Sequence, residues 1–116
     1  MLAKISRFHG QNSLNWAYRK GQTVRDPRLS LRYALNSRRE HFRAAVVVSR
    51  KVNKSAVVRN RIRRRIYSVI EELSGKINLN YDLIFSVYSD ELAGISQEEL
   101  KDLIGDLLKK ANVLPG

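Results

Sequence analysis

Five arginines stand within seven residues: Arg59, Arg61, Arg63, Arg64 and Arg65, interrupted only by Asn60 and Ile62. The chemistry of this side chain is recognition. Its planar fork of N–H donors matches a phosphate with two parallel hydrogen bonds and stacks on bases. Like charges packed this densely repel one another, so the run points to an acidic partner outside itself. Arg50, Lys51 and Lys54 lie just upstream. There they approach the start of a helix, where free backbone N–H groups also favour anions. Asn60 is the one uncharged polar side chain in the run and suits a sugar or base edge.

Residue types that would do chemistry are sparse. The first 65 residues hold only two carboxylates, Asp26 and Glu40, too few for a cluster that would hold Mg²⁺ for phosphodiester cleavage. The two histidines, His9 and His41, fall in expected loops without an acidic neighbour in sequence. They read as surface residues rather than as a general acid–base pair. The chain has no cysteine, no glycine-rich phosphate loop and no metal-ligand spacing. We therefore expect no catalytic residue, no metal site and no bound cofactor in the protein itself.

The chain of 116 residues carries a formal charge of +11 and a pI near 10.5. The charge is unevenly placed. Residues 1–65 hold 18 Lys or Arg, 14 of them Arg, against two acids, whereas residues 66–116 hold four Lys against nine acids. A polyanion met mainly by the first two-thirds is the natural reading, and the arginine bias favours nucleic acid over a membrane surface. With 43% hydrophobic residues, one modest core spanning 1–116 as a single nucleic-acid-binding domain is expected. Neither a signal peptide in "MLAKISRFHG" nor an apolar stretch of membrane-spanning length is present. The absence of cysteine fits the cytoplasm.

Those arginines need a frame. "NSLNWAYRKG" (12–21) reads as a short helix ended by Gly21, with Leu14, Ala17 and Tyr18 on one face. "TVRDPR" (23–28) reads as a turn region. "LSLRYAL" (29–35) alternates as a half-buried strand. "RAAVVVS" (43–49) is nearly continuously apolar, a strand expected to be covered on both faces and paired antiparallel with 29–35. In "SAVVRNRIRRRIYSVIEEL", Ser55 is the expected N-cap. Val58, Ile62, Ile66, Val69, Ile70 and Leu73 recur at three- and four-residue steps, which at roughly 100° per residue fill one arc. Asn60, Arg61 and Arg64 fall on the far side, Arg63 and Arg65 flank the arc, and Arg59 lies near its edge. We expect Arg61, Arg64 and Arg65 to project outward from a helix ending near Ser74 and Gly75. "YDLIFSVY" (81–88) then follows closely enough to run parallel to 43–49. "SQEELKDLIGDLLKKA" (96–111) closes the chain as a helix with a Ser96/Glu99 capping box and a stripe of Leu100, Leu103, Ile104, Leu107 and Leu108. The order implies an α+β fold, with helices covering a small sheet. Trp16, Tyr18, Tyr33, Tyr67 and Tyr88 are candidates for base stacking, although aromatics at such spacing are more often core.

The stretch "SRKVNKSAVVRNRIRRRI" resembles the signature of the protein subunit of bacterial ribonuclease P. There a basic V-S-K-K-like strand end and a short linker precede an R-N-R-x-[KR]-R helix, matched here by "VSRK" (48–51) and "RNRIRR" (59–64). The likeness runs through "SRFHGQNSLNWAYRKG", "YDLIFSVY" and the final leucine-rich helix. It implies a four-stranded sheet with a left-handed crossover between the strands flanking the arginine helix. It also implies a protein that binds a large catalytic RNA and assists endonucleolytic removal of the 5′ leader of precursor tRNA. The RNA then does the chemistry with its own Mg²⁺. By the same resemblance, Arg50, Lys51 and Lys54 meet the catalytic RNA together with Arg59, Asn60, Arg61, Arg63, Arg64 and Arg65. Leu14, Tyr18 and Tyr33 line a cleft for the single-stranded leader. The chain departs from the family pattern at Leu14, where Phe is usual, and at Ala45 and Asn53, where Gly is. The alternative is a ribosomal or other small basic structural RNA-binding protein. A DNA-binding protein reading the major groove would need a more varied outer helix face, and a stand-alone nuclease would need the missing catalytic residues.

Overall fold

Burial on one face or on two decides where each strand of this chain settles. The computed structural model describes residues 21–35, 42–77 and 81–113. The helix expected over 12–21, with Leu14, Trp16 and Tyr18, lies outside the described residues except for Gly21, and His9 and His41 lie outside them as well. Four strands form one sheet: β1 (Gln22–Arg25), β2 (Leu29–Leu35), β3 (Arg43–Val47) and β4 (Tyr81–Val87), in the spatial order β1-β2-β4-β3. Two helices are described, α1 (Ala56–Leu73) and α2 (Gln97–Lys110), and short 3₁₀ turns follow α1 and precede α2 at Ser74–Lys76 and Asp90–Ala93.

The expected antiparallel pairing of 29–35 with 43–49 does not form. β4 lies between them, antiparallel to β2 (Leu31 opposite Phe85) and parallel to β3 (Val46 opposite Phe85). The physical reason is in β4 itself. Leu83, Ile84 and Phe85 are all fully buried, so this strand carries apolar side chains on both faces and takes a central position. β3 is instead an edge strand. Its Ala44 and Val46 are buried while Val47 is 40% exposed, so the run read as covered on both faces is covered on one. The turn region expected over 23–28 overlaps β1. The bend is there, with Asp26 accepting from the backbone N–H of Arg28, but Gln22–Arg25 pairs with Arg25 opposite Ser30 through Gln22 opposite Tyr33.

The parallel relation of β3 and β4 agrees with the strand–helix–strand reading, and α1 makes the connection. Its buried residues are Ile62, Ile66, Val69, Ile70 and Leu73, as the spacing requires, together with Tyr67. They join Leu29, Leu31, Ala44, Val46, Leu83 and Phe85 in one core, which the α2 stripe of Leu100, Leu103, Ile104, Leu107 and Leu108 completes. Each fully buried aliphatic side chain of this kind stabilises the fold by about 1.5–3 kcal/mol relative to exposure. The opposite side of the sheet carries Ser30, Arg32, Ala45, Asp82 and Ile84 by strand alternation. Asp82 has no exposure there, and Arg43 holds it with two hydrogen bonds, Nε to Oδ1 at 2.9 Å and Nη2 to Oδ2 at 2.7 Å. This two-pronged contact compensates a carboxylate that would otherwise be very costly to bury, and it pins β3 against β4.

Candidate nucleic-acid interface

Helix α1 starts where the sequence places it. The Ser55 hydroxyl accepts from the backbone N–H of Val58 at 3.4 Å, which marks Ser55 as the N-cap. Asn53 sets up that start, accepting from the Ser55 N–H at 2.8 Å. This Asx-type turn is legible in retrospect as an asparagine two residues before a capping serine. The Asn53 side chain also donates to Asp90 Oδ2 at 3.1 Å, joining the basic loop to the 3₁₀ turn before α2.

The five arginines divide by what they touch. Arg59 Nη1 donates to the carbonyls of Asn53 and Lys54, both at 2.9 Å, folding back over the basic loop. Arg63 donates to the side-chain oxygen of Asn60, which leaves the Asn60 amide N–H₂ available to an acceptor. Arg65 departs from expectation. It does not project outward: Nη1 donates to the Leu92 carbonyl at 2.7 Å, and Nη2 donates to the Ile95 carbonyl and, at 3.4 Å, to Gln97 Oε1. Its place beside the apolar arc brings it against the chain that packs on α1, and the bare carbonyls of a 3₁₀ turn are ready acceptors. Arg61 and Arg64 remain on the exposed face and make no hydrogen bond or ion pair among the described residues. Arg50, Lys51 and Lys54 are exposed as well. Val57, 74% exposed one turn before Arg61, extends the same face.

The aromatic candidates also separate. Tyr67 is core: it is buried, and its hydroxyl accepts from the Val46 N–H at 3.2 Å, so it is not free to stack on a base. Tyr88 is half-exposed but its hydroxyl is hydrogen-bonded to Ser30 Oγ at 2.8 Å. Tyr33 is partly exposed, with its ring centroid 6.3 Å from that of Tyr81 and its hydroxyl donating to Gln22 Oε1 at 3.0 Å.

The acids gather elsewhere. Arg28 donates to Asp26 and Glu99, each at 3.2 Å, and lies 3.4 Å from Glu91. Partial burial works against ionisation of the Asp26 carboxyl. The hydrogen bonds from the Arg28 N–H and guanidinium, with the charges of Arg28 and Lys110, nevertheless hold it below the ordinary aspartate range. The hydrogen bond to Asp26 in turn raises the Arg28 guanidinium, against the effect of burial. Asp102 and Asp106 of α2 line a shallow groove with this cluster. Sequence reading missed this network because its members are scattered over the chain.

An amphipathic helix laid on a mixed four-stranded sheet, its outer face rich in arginine and acidic only at its C-terminal end, defines a small basic nucleic-acid-binding protein of the α+β class. The family model described as Ribonuclease P matches residues 2–112. The ribonuclease P protein component of Pseudanabaena sp. (strain PCC 6903) is 30% identical over 116 residues, covering 100% of this chain and 99% of its own. That of Chloroflexus aurantiacus (strain ATCC 29366 / DSM 635 / J-10-fl) is 36% identical over 96 residues, 83% of this chain and 70% of the relative. The fold matches the ribonuclease P protein of Staphylococcus aureus with a TM-score of 0.83 at 24% identity, over 95% of this chain and 98% of that one. The chain belongs to the ribonuclease P protein family, as a protein subunit of an endoribonuclease ribonucleoprotein. The ribosomal alternative is not favoured by these matches. Among the described residues, no helix is long and apolar enough to cross a membrane.

Proposed function

We propose that this protein binds the catalytic RNA of ribonuclease P through the outer face of α1 and the loop before it, and holds the 5′ leader of precursor tRNA nearby. The observation that carries this reading is Arg61 and Arg64: exposed, in no ion pair among the described residues, and fixed on a helix whose other face is buried from Ile62 to Leu73. A rigid cationic face of this kind suits a structured phosphate backbone. Asn60 adds a donor for a sugar or base edge. Tyr33, with Leu14 and Tyr18 by family resemblance, lines the leader cleft; its partial exposure beside Tyr81 suits a base-stacking wall. The RNA performs the cleavage with its own Mg²⁺, in the cytoplasm, and the protein raises its affinity for substrate.

Reconstitution with a bacterial ribonuclease P RNA at low Mg²⁺ tests this. The expected result is faster cleavage of precursor tRNA on adding the protein, with Tyr33→Ala weakening the leader-bearing substrate more than a leaderless one. Unchanged cleavage would sink the main reading. Equal weakening of both substrates would remove the leader assignment alone.

A further inference from the structure

The resemblance treats the arginine run as one contact surface, but the geometry divides it. We propose that Arg65 and Asn53 are positioning residues, which brace the basic loop and α1 against the Asp90–Ile95 segment, and that phosphates are met by Arg61 and Arg64 with Arg50, Lys51 and Lys54. This inference rests on the RNA-binding reading of α1 and assigns its residues different roles.

The brace has two links. Arg65 reaches from the middle of α1 to the Leu92 and Ile95 carbonyls and to Gln97, engaging both terminal nitrogens of its guanidinium. A bidentate phosphate contact through that end of the fork would have to displace these bonds. Leu92, whose carbonyl receives Arg65, is fully buried in the core, so the anchor point is fixed. The second link starts in the loop. Asn53 donates to Asp90 and accepts from Ser55, so one side chain ties the loop both to the 3₁₀ turn and to the helix start. Arg59 staples the same loop from the helix side through the Asn53 and Lys54 carbonyls.

The consequence is preorganisation. Lys51, Lys54 and Arg50 sit on a loop without regular structure, and Arg61 and Arg64 on the helix that follows. A polyanion with fixed phosphate spacing binds such a set more tightly when loop and helix are already held in one geometry, because less ordering accompanies binding. Asn53 stands where the family usually has Gly. A glycine could not make the bond to Asp90, so in this chain the second link depends on a side chain that the family pattern does not call for.

The experiment measures two things for the wild type and for Arg64→Ala, Arg65→Gln and Asn53→Ala. One is the salt dependence of binding to ribonuclease P RNA; the other is amide hydrogen exchange of the free protein. Arg64→Ala should lower the salt slope by about 0.7–0.9, one phosphate contact, and leave exchange unchanged. Arg65→Gln should keep the slope, weaken binding by a similar factor at every salt concentration, and speed exchange over 90–97 by about tenfold, the size of one charged hydrogen bond. Asn53→Ala, a milder change that does not touch the core, should keep the slope and speed exchange over 51–56. Loss of slope in Arg65→Gln equal to that in Arg64→Ala overturns the proposal, as does unchanged exchange in both brace variants. If wild-type protein binds ribonuclease P RNA no better than an unrelated RNA, the RNA reading of α1 fails. The exchange arm still decides the brace.

Discussion

Helices α1 and α2 use the same means to dock and opposite means to place charge. Each buries an apolar stripe in the shared core, and each starts from a serine cap, Ser55 and Ser96. In α2 the charges then follow the helix dipole: Glu98 and Glu99 in the first turn, Lys109 and Lys110 in the last. In α1 the first turn has no acid and the last turn no base; arginines crowd the front half, and Glu71 and Glu72 stand at the end. Charges placed against the dipole cost about 0.3–1 kcal/mol each at a helix end. A helix whose charges satisfy its own dipole needs no partner for them. A helix whose charges oppose it keeps them for an acidic partner, in our proposal the RNA. The acids of the molecule lie largely outside this face, around Arg28 and along α2, and Glu72 of α1 pairs with Lys101 of α2 at 3.2 Å.

The comparison can be broken at three levels. Docking is common to both helices and carries the largest effect. Ile66→Ala and Ile104→Ala, each at a fully buried position, should each cost about 2–5 kcal/mol in urea unfolding. A loss near zero for either would mean that its helix is not anchored as described. Charge reversal comes next. Lys109→Glu and Lys110→Glu should each destabilise the free protein by about 0.3–1 kcal/mol and leave RNA binding intact. Arg61→Glu with Arg64→Glu should leave the free protein as stable as before or slightly more so while abolishing tight RNA binding. If that pair instead unfolds the protein, these arginines are structural and the contrast between the helices disappears.

The smallest effect is acid sensitivity at the Arg28 cluster. Asp26 titrates below its ordinary value in the folded protein. Its ionised form therefore contributes stability that is fully present above the unfolded-state pKa of about 3.9 and is lost as pH falls through the lower folded value. Thermal melts between pH 7 and pH 3 should show wild type and Asp26→Asn converging towards the acid end. A constant gap would show that the Arg28 contact does not depend on the carboxylate's charge.

Much of this was readable beforehand because it is local. The caps at Ser55 and Ser96, the buried arcs of both helices and the exposed Arg61 and Arg64 follow from residue type and helical phase, and the parallel β3/β4 relation follows from the intervening helix. The pairing of β2 was not readable. Whether 29–35 meets 43–49 or 81–87 depends on which strand can be apolar on both faces, and β3 and β4 both look continuous in sequence. The short β1 was hidden because four residues beside an Asp-Pro bend carry little pattern.

By itself, then, the sequence determined a basic amphipathic helix on a small sheet, with its cations concentrated ahead of residue 66. Periodicity and charge act over a few residues and survive in a one-dimensional string. Only the tertiary structure decided that β4 is central, that Tyr67 belongs to the core, and that Arg65 turns inward. Each of these depends on a partner 20 or more residues away: Val46 is 21 residues from Tyr67, and Leu92 is 27 from Arg65. An arginine beside an apolar arc reaches solvent or a carbonyl according to what packs against it, and that neighbour is set by the fold.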